Sequence, residues 1–318
     1  MKLIIGIMTA VALLSSSCAL RDGHLLKKNG KKDKTGGNSK FSSYDADLAL
    51  RLVKLTQATS CVTPEEPAWD CATCEPDMIL VKVIDSFIDT LPVGRAIITY
   101  SDNQGEPSLF VAYRGTTTAA DWELNAKFEQ IAPFVEYPLV KVHTGLVEWY
   151  LTLKEDVDTA LAAVALQYGT NKVVFTGHSA GGAVASLHAF DFLFAQQSPL
   201  LELVADKLYT FGSPRVGNSK FAALLQAALP SSSYRVVHFC DGVPHFPAAW
   251  TLQAPITPAS AVIGKYVHLS TEVWYAEDNG SYRICDGSGE DGACSRSCDA
   301  LSVADHLNYL GIEYGGPC

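Results

Sequence analysis

The run KVVFTGHSAGGAVASLHAF, residues 172 to 190, changes from a β-branched pattern to one of alanine, leucine and phenylalanine at Gly177-His178-Ser179-Ala180-Gly181. A serine two residues from a glycine on either side, with a strand before it and a helix after it, is the pattern of a nucleophile on a sharp turn. The reversal strains the backbone and leaves the hydroxyl exposed above the sheet. Gly177 and Gly181 lack the Cβ atoms that would collide in so tight a turn. The helix beginning beside Ser179 points unsatisfied N–H groups and its positive dipole end at the same spot, where they would stabilise a developing oxyanion. With ordinary glycine and serine usage the bare motif arises by chance in about one chain of this length in ten, so the flanking strand and helix carry the assignment.

A serine hydroxyl needs a base, and the base must be held in one tautomer by a carboxylate. In α/β hydrolases these follow in the order Ser, Asp, His. Asp241 comes directly after the strand-like YRVVHFC, in DGVPHFP, where Gly242 and Pro244 make a turn at the strand's carboxyl end. An acid belongs there, although an ordinary turn aspartate would look the same. Seven histidines lie outside the N-terminal region. His178 is inside the elbow and directed away from its neighbour's hydroxyl, His188 is on the following helix, and His143 precedes a helix at Gly145. His238 and His268 fall within strands, and His245 is too close to Asp241. His306, in DHLNY, is downstream of the acid on a late loop and remains; Asp305 beside it reads as a turn or cap residue.

The rest of the chain must position these groups. At 318 residues with 48% apolar content it is long enough for a real core. Residues 1 to 20 pair one lysine with a short apolar run and end in small residues, the build of a signal peptide cut after Ala19, and the run is too short to span a bilayer. The overall charge of −10 hides an asymmetry: residues 21 to 40 carry +5 and the body from 41 onward about −16. The basic stretch, 20–42, has too few apolar residues to fold and is expected to be a linker or pro-segment. A nucleic-acid role is disfavoured because the body would repel phosphate. Removing the signal peptide leaves eight of the nine cysteines, an even number that reads as disulfides in an exported chain. Cys71-x-x-Cys74 lacks a second half for a zinc site. Asn279-Gly280-Ser281 is a glycosylation sequon.

From Phe41 onward the pattern reads as one domain, 43–318. A helix is expected over 42 to 61, strands over 96–101, 109–114, 172–177, 206–212, 234–239 and 268–276, and helices over 145–168, 180–195 and 220–228. Strands alternating with helices imply an α/β sheet with helices packed on it.

FVAYRGTTTAADWELN, KVHTGLVEWY, VVFTGHSAGGAVASL, YTFGSPRVGN, RVVHFCDGVPHFP and DHLNYLGI occur in this order, and together they resemble the class 3 family of filamentous-fungal triacylglycerol lipases and their feruloyl-esterase relatives over nearly all of 43 to 318. The resemblance implies an α/β-hydrolase fold, a central mostly parallel sheet flanked by helices with a short lid, and the triad Ser179, Asp241 and His306. It implies an oxyanion hole made by Thr116, through its N–H and hydroxyl, and by the N–H of Ala180. It matches 117 to 125 to the lid and Trp122 to the lid tryptophan that covers the acyl groove, where a plain core aromatic is the simpler alternative. By similarity Cys61 pairs with Cys318, Cys71 with Cys74 and Cys285 with Cys294. Cys240 and Cys298 have no counterpart there and stand either as a fourth bridge beside the acid loop or as buried thiols. Ala180 replaces the family's common leucine, and Asp121 and Glu123 make the lid only mildly apolar.

These readings imply a secreted, monomeric serine hydrolase of glyceride esters, acting at a lipid–water interface without a cofactor, a metal or a stable membrane anchor. Feruloyl-type and other carboxylesterases and phospholipases are the alternatives within enzymes. A catalytically silent binding protein is the alternative from outside them; its mark would be a lost triad residue, and all three are present.

Overall fold

The structure, a computed structural model, describes residues 44–194, 203–248, 265–269, 271–316 and 318. The expected signal peptide, 1–19, and basic segment, 20–42, lie outside the described residues.

Among the described residues eight strands form one sheet, in the order β1-β2-β3-β6-β7-β8-β9-β10. Its centre is parallel: β3 (Ser108–Tyr113), β6 (Lys172–His178), β7 (Val204–Phe211), β8 (Ser233–His238) and β9 (Glu272–Tyr275) all run the same way. The antiparallel strands β1 (Ile79–Ile88), β2 (Leu91–Ser101) and β10 (Tyr282–Ile284) form its flanks. Two two-stranded pieces stand apart, β4 (Gln130–Ile131) with β5 (Val142–His143), and β11 (Asn308–Tyr309) with β12 (Ile312–Glu313).

Both faces are covered, so the central strands are apolar on successive residues. In β3, Leu109, Val111 and Tyr113 face the core shared with helices α3 (Thr144–Tyr168) and α4 (Ala180–Phe194), while Phe110 and Ala112 face α1 (Ala46–Cys61). The helices begin where the chain supplies caps: Asp45 accepts from the Leu48 N–H at 2.9 Å, and Asn218 accepts from the Phe221 N–H at 3.1 Å to start α5 (Ser219–Ala228). Helix α2 (Ala119–Asn125) opens with a capping box between Thr118 and Asp121.

This is the α/β-hydrolase architecture that the sequence led us to expect, with differences at its margins. Pro92, Gly94 and the Asp89-Thr90 turn hide the β1–β2 hairpin from a reading by alternation, so β1 and the first half of β2 were not anticipated. The last expected strand is shorter, because Thr271 adopts φ +64° and ends extended pairing, so His268 lies outside it.

Among the described residues there are four disulfides, Cys61–Cys318, Cys71–Cys74, Cys285–Cys294 and Cys240–Cys298. The last pair is thus a bridge rather than two thiols. It fastens the residue before Asp241 to the segment that leads to His306.

Candidate active site

The site lies at the carboxyl ends of the parallel strands. Strand β6 ends at His178 and α4 begins at Ala180, so Ser179 alone makes the reversal, with φ +57°. A left-handed backbone at a residue with a side chain costs about 1–2 kcal/mol, and here it is held by a bond from the Ser179 N–H to the Phe211 carbonyl, 2.9 Å. The two glycines are required by contact: a Cβ on Gly177 would lie 2.3 Å from the Gly181 carbonyl group, and one on Gly181 would lie 2.2 Å from the Tyr113 oxygen.

Asp241 follows β8 after a two-residue turn and is fully buried. His306 is the last residue of the short helix α6 (Val303–His306), which Ser302 caps by accepting from the Asp305 N–H. A ladder contact between Asp241 and Ser302 brings the two segments together. The three groups, 62 or more residues apart in sequence, form one hydrogen-bonded chain. Ser179 Oγ and His306 Nε2 are 2.9 Å apart, and His306 Nδ1 donates to Asp241 Oδ2 at 2.9 Å. The imidazole is thereby held with its free nitrogen toward the serine hydroxyl, the arrangement needed for that nitrogen to accept the proton.

Asp241 has further partners that sequence reasoning missed. The Tyr309 hydroxyl donates to Oδ2, and the Val243 N–H donates to Oδ1 at 2.8 Å. Burial, reinforced by the Asp241 carboxylate, pushes the Tyr309 hydroxyl far above its ordinary pKa, so it remains a donor. Its position three residues after His306, in DHLNY, was the available signal. The other histidine at the elbow, His178, holds His306 from behind: its Nε2–H donates to the His306 carbonyl at 2.8 Å, and its ring stacks on Tyr314. Burial and the facing His306 ring hold His178 well below the usual histidine range, so it adds no positive charge beside His306.

Of the remaining expected residues, Thr116 and Ala180 lie in segments that adjoin the serine, and Trp122 is on α2, which is tied to the Thr116 turn. A Cβ on Gly115 would lie 3.3 Å from Ser179 Cβ, so the Arg114-Gly115-Thr116 turn rests on the elbow. Thr116 Oγ1 accepts from Asn125 Nδ2 at 2.7 Å, which leaves the threonine's own proton free to donate. Ala180 is the first residue of α4, where helix N–H groups lack intrahelical partners. Asp121 ties α2 to the same turn, accepting from the N–H groups of Thr117 and Thr118, each at 2.9 Å, and pairing with Arg114. Trp122 is 36% exposed on α2 and is not a core aromatic, whereas Leu124 on the same helix is buried. Among the described residues, one histidine, cysteine and acid cluster has ligand spacing, Glu272 with Cys285 and Cys294, and its two sulfurs are bonded to each other.

Buried histidines elsewhere give the fold a pH dependence. His143 caps α3, its Nδ1 accepting from the Leu146 N–H at 3.2 Å, and burial lowers its pKa to about 4. Burial also holds His268 well below the usual range. Because these folded-state values lie below the unfolded one, the unfolded chain binds more protons between about pH 6.5 and 4, and stability falls as pH falls through that window. His143 alone contributes about 3 kcal/mol to this loss, equivalent to roughly 6 °C or more in a domain of this size. We expect melting curves to show that drop between pH 7 and 4, and His143→Asn, which keeps a capping side chain without a titrating ring, to reduce it. A Tm that is level across this range would refute the assignment.

Known proteins resemble this chain. The family described as lipase (class 3) matches residues 110–250. A lipase of Rhizomucor miehei is 30% identical over 287 residues, covering 88% of this chain and 72% of that protein. A secreted mono- and diacylglycerol lipase of Fusarium solani is 30% identical over 255 residues, covering 76% of this chain and 67% of that protein. Two further curated relatives are spanned over 58% of their own length. Among solved structures, a triacylglycerol lipase whose catalytic centre is formed by a serine protease triad superimposes with TM-score 0.68 at 27% identity, covering 86% of this chain and 97% of that one.

Proposed function

The chain belongs to the class 3 lipase family, a family of carboxylic-ester hydrolases, and on that premise we propose that it is a secreted enzyme that cleaves glyceride esters through an acyl-enzyme on Ser179. Ser179 Oγ attacks the ester carbonyl as His306 takes its proton. His306 then returns that proton to the leaving alcohol, and water releases the fatty acid by the same steps in reverse order. Asp241 orients His306 and stabilises the imidazolium. The N–H groups of Thr116 and Ala180, with the Thr116 hydroxyl, receive the oxyanion, each donor contributing roughly 3 kcal/mol in the transition state.

The observation that carries this reading is the unbroken chain from Ser179 Oγ through the His306 ring to Asp241, with 2.9 Å at each step. Support for a lipid-facing mouth comes from exposed apolar side chains: Val303 (51%) and Leu307 (44%) on and beside the short helix that ends at His306, and Trp122 (36%) on the lid segment. The acidic body, about −16 from residue 41 onward, favours neutral glycerides over anionic lipid. Four disulfides and the expected signal peptide fit an extracellular protein. Among the described residues no helix is long and apolar enough to cross a membrane.

A fluorophosphonate probe is expected to leave one adduct, on Ser179, readable by peptide mass spectrometry. Rates on emulsified triolein are expected to exceed those on methyl ferulate and on soluble short-chain esters. No adduct on Ser179 would remove the hydrolase mechanism, and a preference for methyl ferulate would replace the glyceride assignment with the feruloyl one.

A further inference from the structure

The sequon Asn279-Gly280-Ser281 sits in the turn between β9 and β10, and the fold employs its asparagine for something other than a sugar. The turn closes on its own bonds: the Ala276 N–H donates to the Ser281 carbonyl and the Asn279 N–H to the Ala276 carbonyl, both at 2.9 Å. Asp278 Oδ1 accepts from the Gly280 N–H at 2.9 Å. The Asn279 side chain is therefore not needed by its own turn, and its backbone is left-handed, with φ +54°, a conformation asparagine tolerates better than most residues.

That side chain reaches 29 residues along the sequence to the segment after the catalytic base. Its Nδ2 donates to Asn308 Oδ1 at 2.9 Å, and its Oδ1 accepts from the Leu310 N–H at 2.9 Å. Residues 308 and 310 are the two neighbours of Tyr309, whose side chain is fully buried and whose hydroxyl donates to the Asp241 oxygen that also accepts from His306. Leu310 is itself left-handed, with φ +52°, and so relies on outside partners to stay in that form. The same two segments meet again at His238, whose ring nitrogens lie 3.1 Å from the Asp305 carbonyl and 3.3 Å from the Glu277 carbonyl. A short amide offers a donor and an acceptor together, which is what gripping both sides of Tyr309 requires. A glycan would be attached at Nδ2, the atom already donating to Asn308.

We infer that Asn279 is a positioning residue for the ester-hydrolysing site: it clamps Asn308 and Leu310, fixes Tyr309 between them, and through Tyr309 sets the Asp241 carboxylate against His306. The inference rests on the proposed hydrolase reading. Asn279 touches no substrate and acts only through Tyr309.

Two substitutions destroy the sequon and differ in what else they remove. Asn279→Ala abolishes the clamp, while Ser281→Ala leaves the amide in place. With active sites counted by fluorophosphonate titration, so that misfolded protein is excluded, kcat per site on p-nitrophenyl butyrate is expected to fall about tenfold in Asn279→Ala with KM within about twofold. Ser281→Ala is expected to match the wild type. In a Tyr309→Phe background, Asn279→Ala is expected to add less than about a twofold loss, because the residue it serves no longer donates to Asp241. An unchanged kcat in Asn279→Ala, an equal loss in Ser281→Ala, or a full tenfold loss that persists without the Tyr309 hydroxyl would each overturn the clamp. Failure of the hydrolase reading is separately visible as activity that survives Ser179→Ala.

Discussion

Ser179→Ala is expected to lower kcat on p-nitrophenyl esters by at least about 10⁵-fold, leaving only what the oxyanion donors and substrate binding supply without a nucleophile. The substitution removes one oxygen from a position whose backbone is already fixed by its bond to the Phe211 carbonyl, and alanine carries the same Cβ, so the elbow at φ +57° survives unchanged. The loss is therefore chemical rather than structural, and circular dichroism and Tm are expected to match the wild type. A companion variant separates strain from chemistry. Ser179→Gly is equally inactive, but glycine accepts φ +57° freely, so it is expected to melt above Ser179→Ala by the equivalent of about 1 kcal/mol, the order of the strain relieved. Retention of more than a small fraction of activity in the alanine variant would show that the nucleophile lies elsewhere.

Asp241→Asn is expected to lower kcat by about 10⁴-fold, the size typical of a triad acid, with little change in KM. Three donors converge on this carboxylate: His306 Nδ1–H and the Tyr309 hydroxyl at Oδ2, and the Val243 N–H at Oδ1. An amide must place its NH₂ on one side or the other, so it meets either His306 or Val243 donor to donor. Turned toward His306, it selects the tautomer that carries its proton on Nε2, facing the serine, where no proton can be accepted. Turned toward Val243, it leaves a buried N–H opposed in a fully enclosed site. A measured loss below about tenfold would mean that the carboxylate is a turn aspartate with no part in the reaction.

How much of this could be read from the chain differs from residue to residue. Ser179 was legible because three signals coincide there: a buried strand, a change to helical composition, and two glycines whose Cβ atoms would strike neighbouring backbone. The partners in the hydrogen-bonded chain from Ser179 were legible too, Asp241 from a turn after a strand, and His306 by setting aside histidines that lay in or beside strands and helices, inside the elbow, or too close to Asp241. Tyr309 was not, because nothing in the sequence between Asn308 and Leu310 records where its hydroxyl points; the ring is core, and only that direction makes it more. The Cys240–Cys298 pairing was not, because disulfide connectivity does not follow from spacing, and 58 residues separate the two sulfurs. The Asn279 clamp was invisible for a related reason. A polar side chain's distant partner depends on two loops meeting, and no local period records that. The β1–β2 hairpin was obscured by Pro92 and Gly94, which ordinarily interrupt strands; Gly94 is needed there because a Cβ would fall 2.1 Å from the Trp149 ring nitrogen.

The bridge between Cys240 and Cys298 has a bearing on how the site ages. Ser302 donates to the Cys240 carbonyl at 2.8 Å, and the Cys240 N–H donates to Asp305 Oδ2 at 3.1 Å, so acid and imidazole ride on a single cross-braced bracket. The nucleophile sits at the seam between the central sheet and α4, joined to that bracket by the bond from His178 Nε2–H to the His306 carbonyl. When warmth or age slackens the molecule, carboxylate and imidazole are expected to move as passengers of one frame, and the 2.9 Å between Ser179 Oγ and His306 Nε2 then depends on the His178 bond that joins the elbow to that frame.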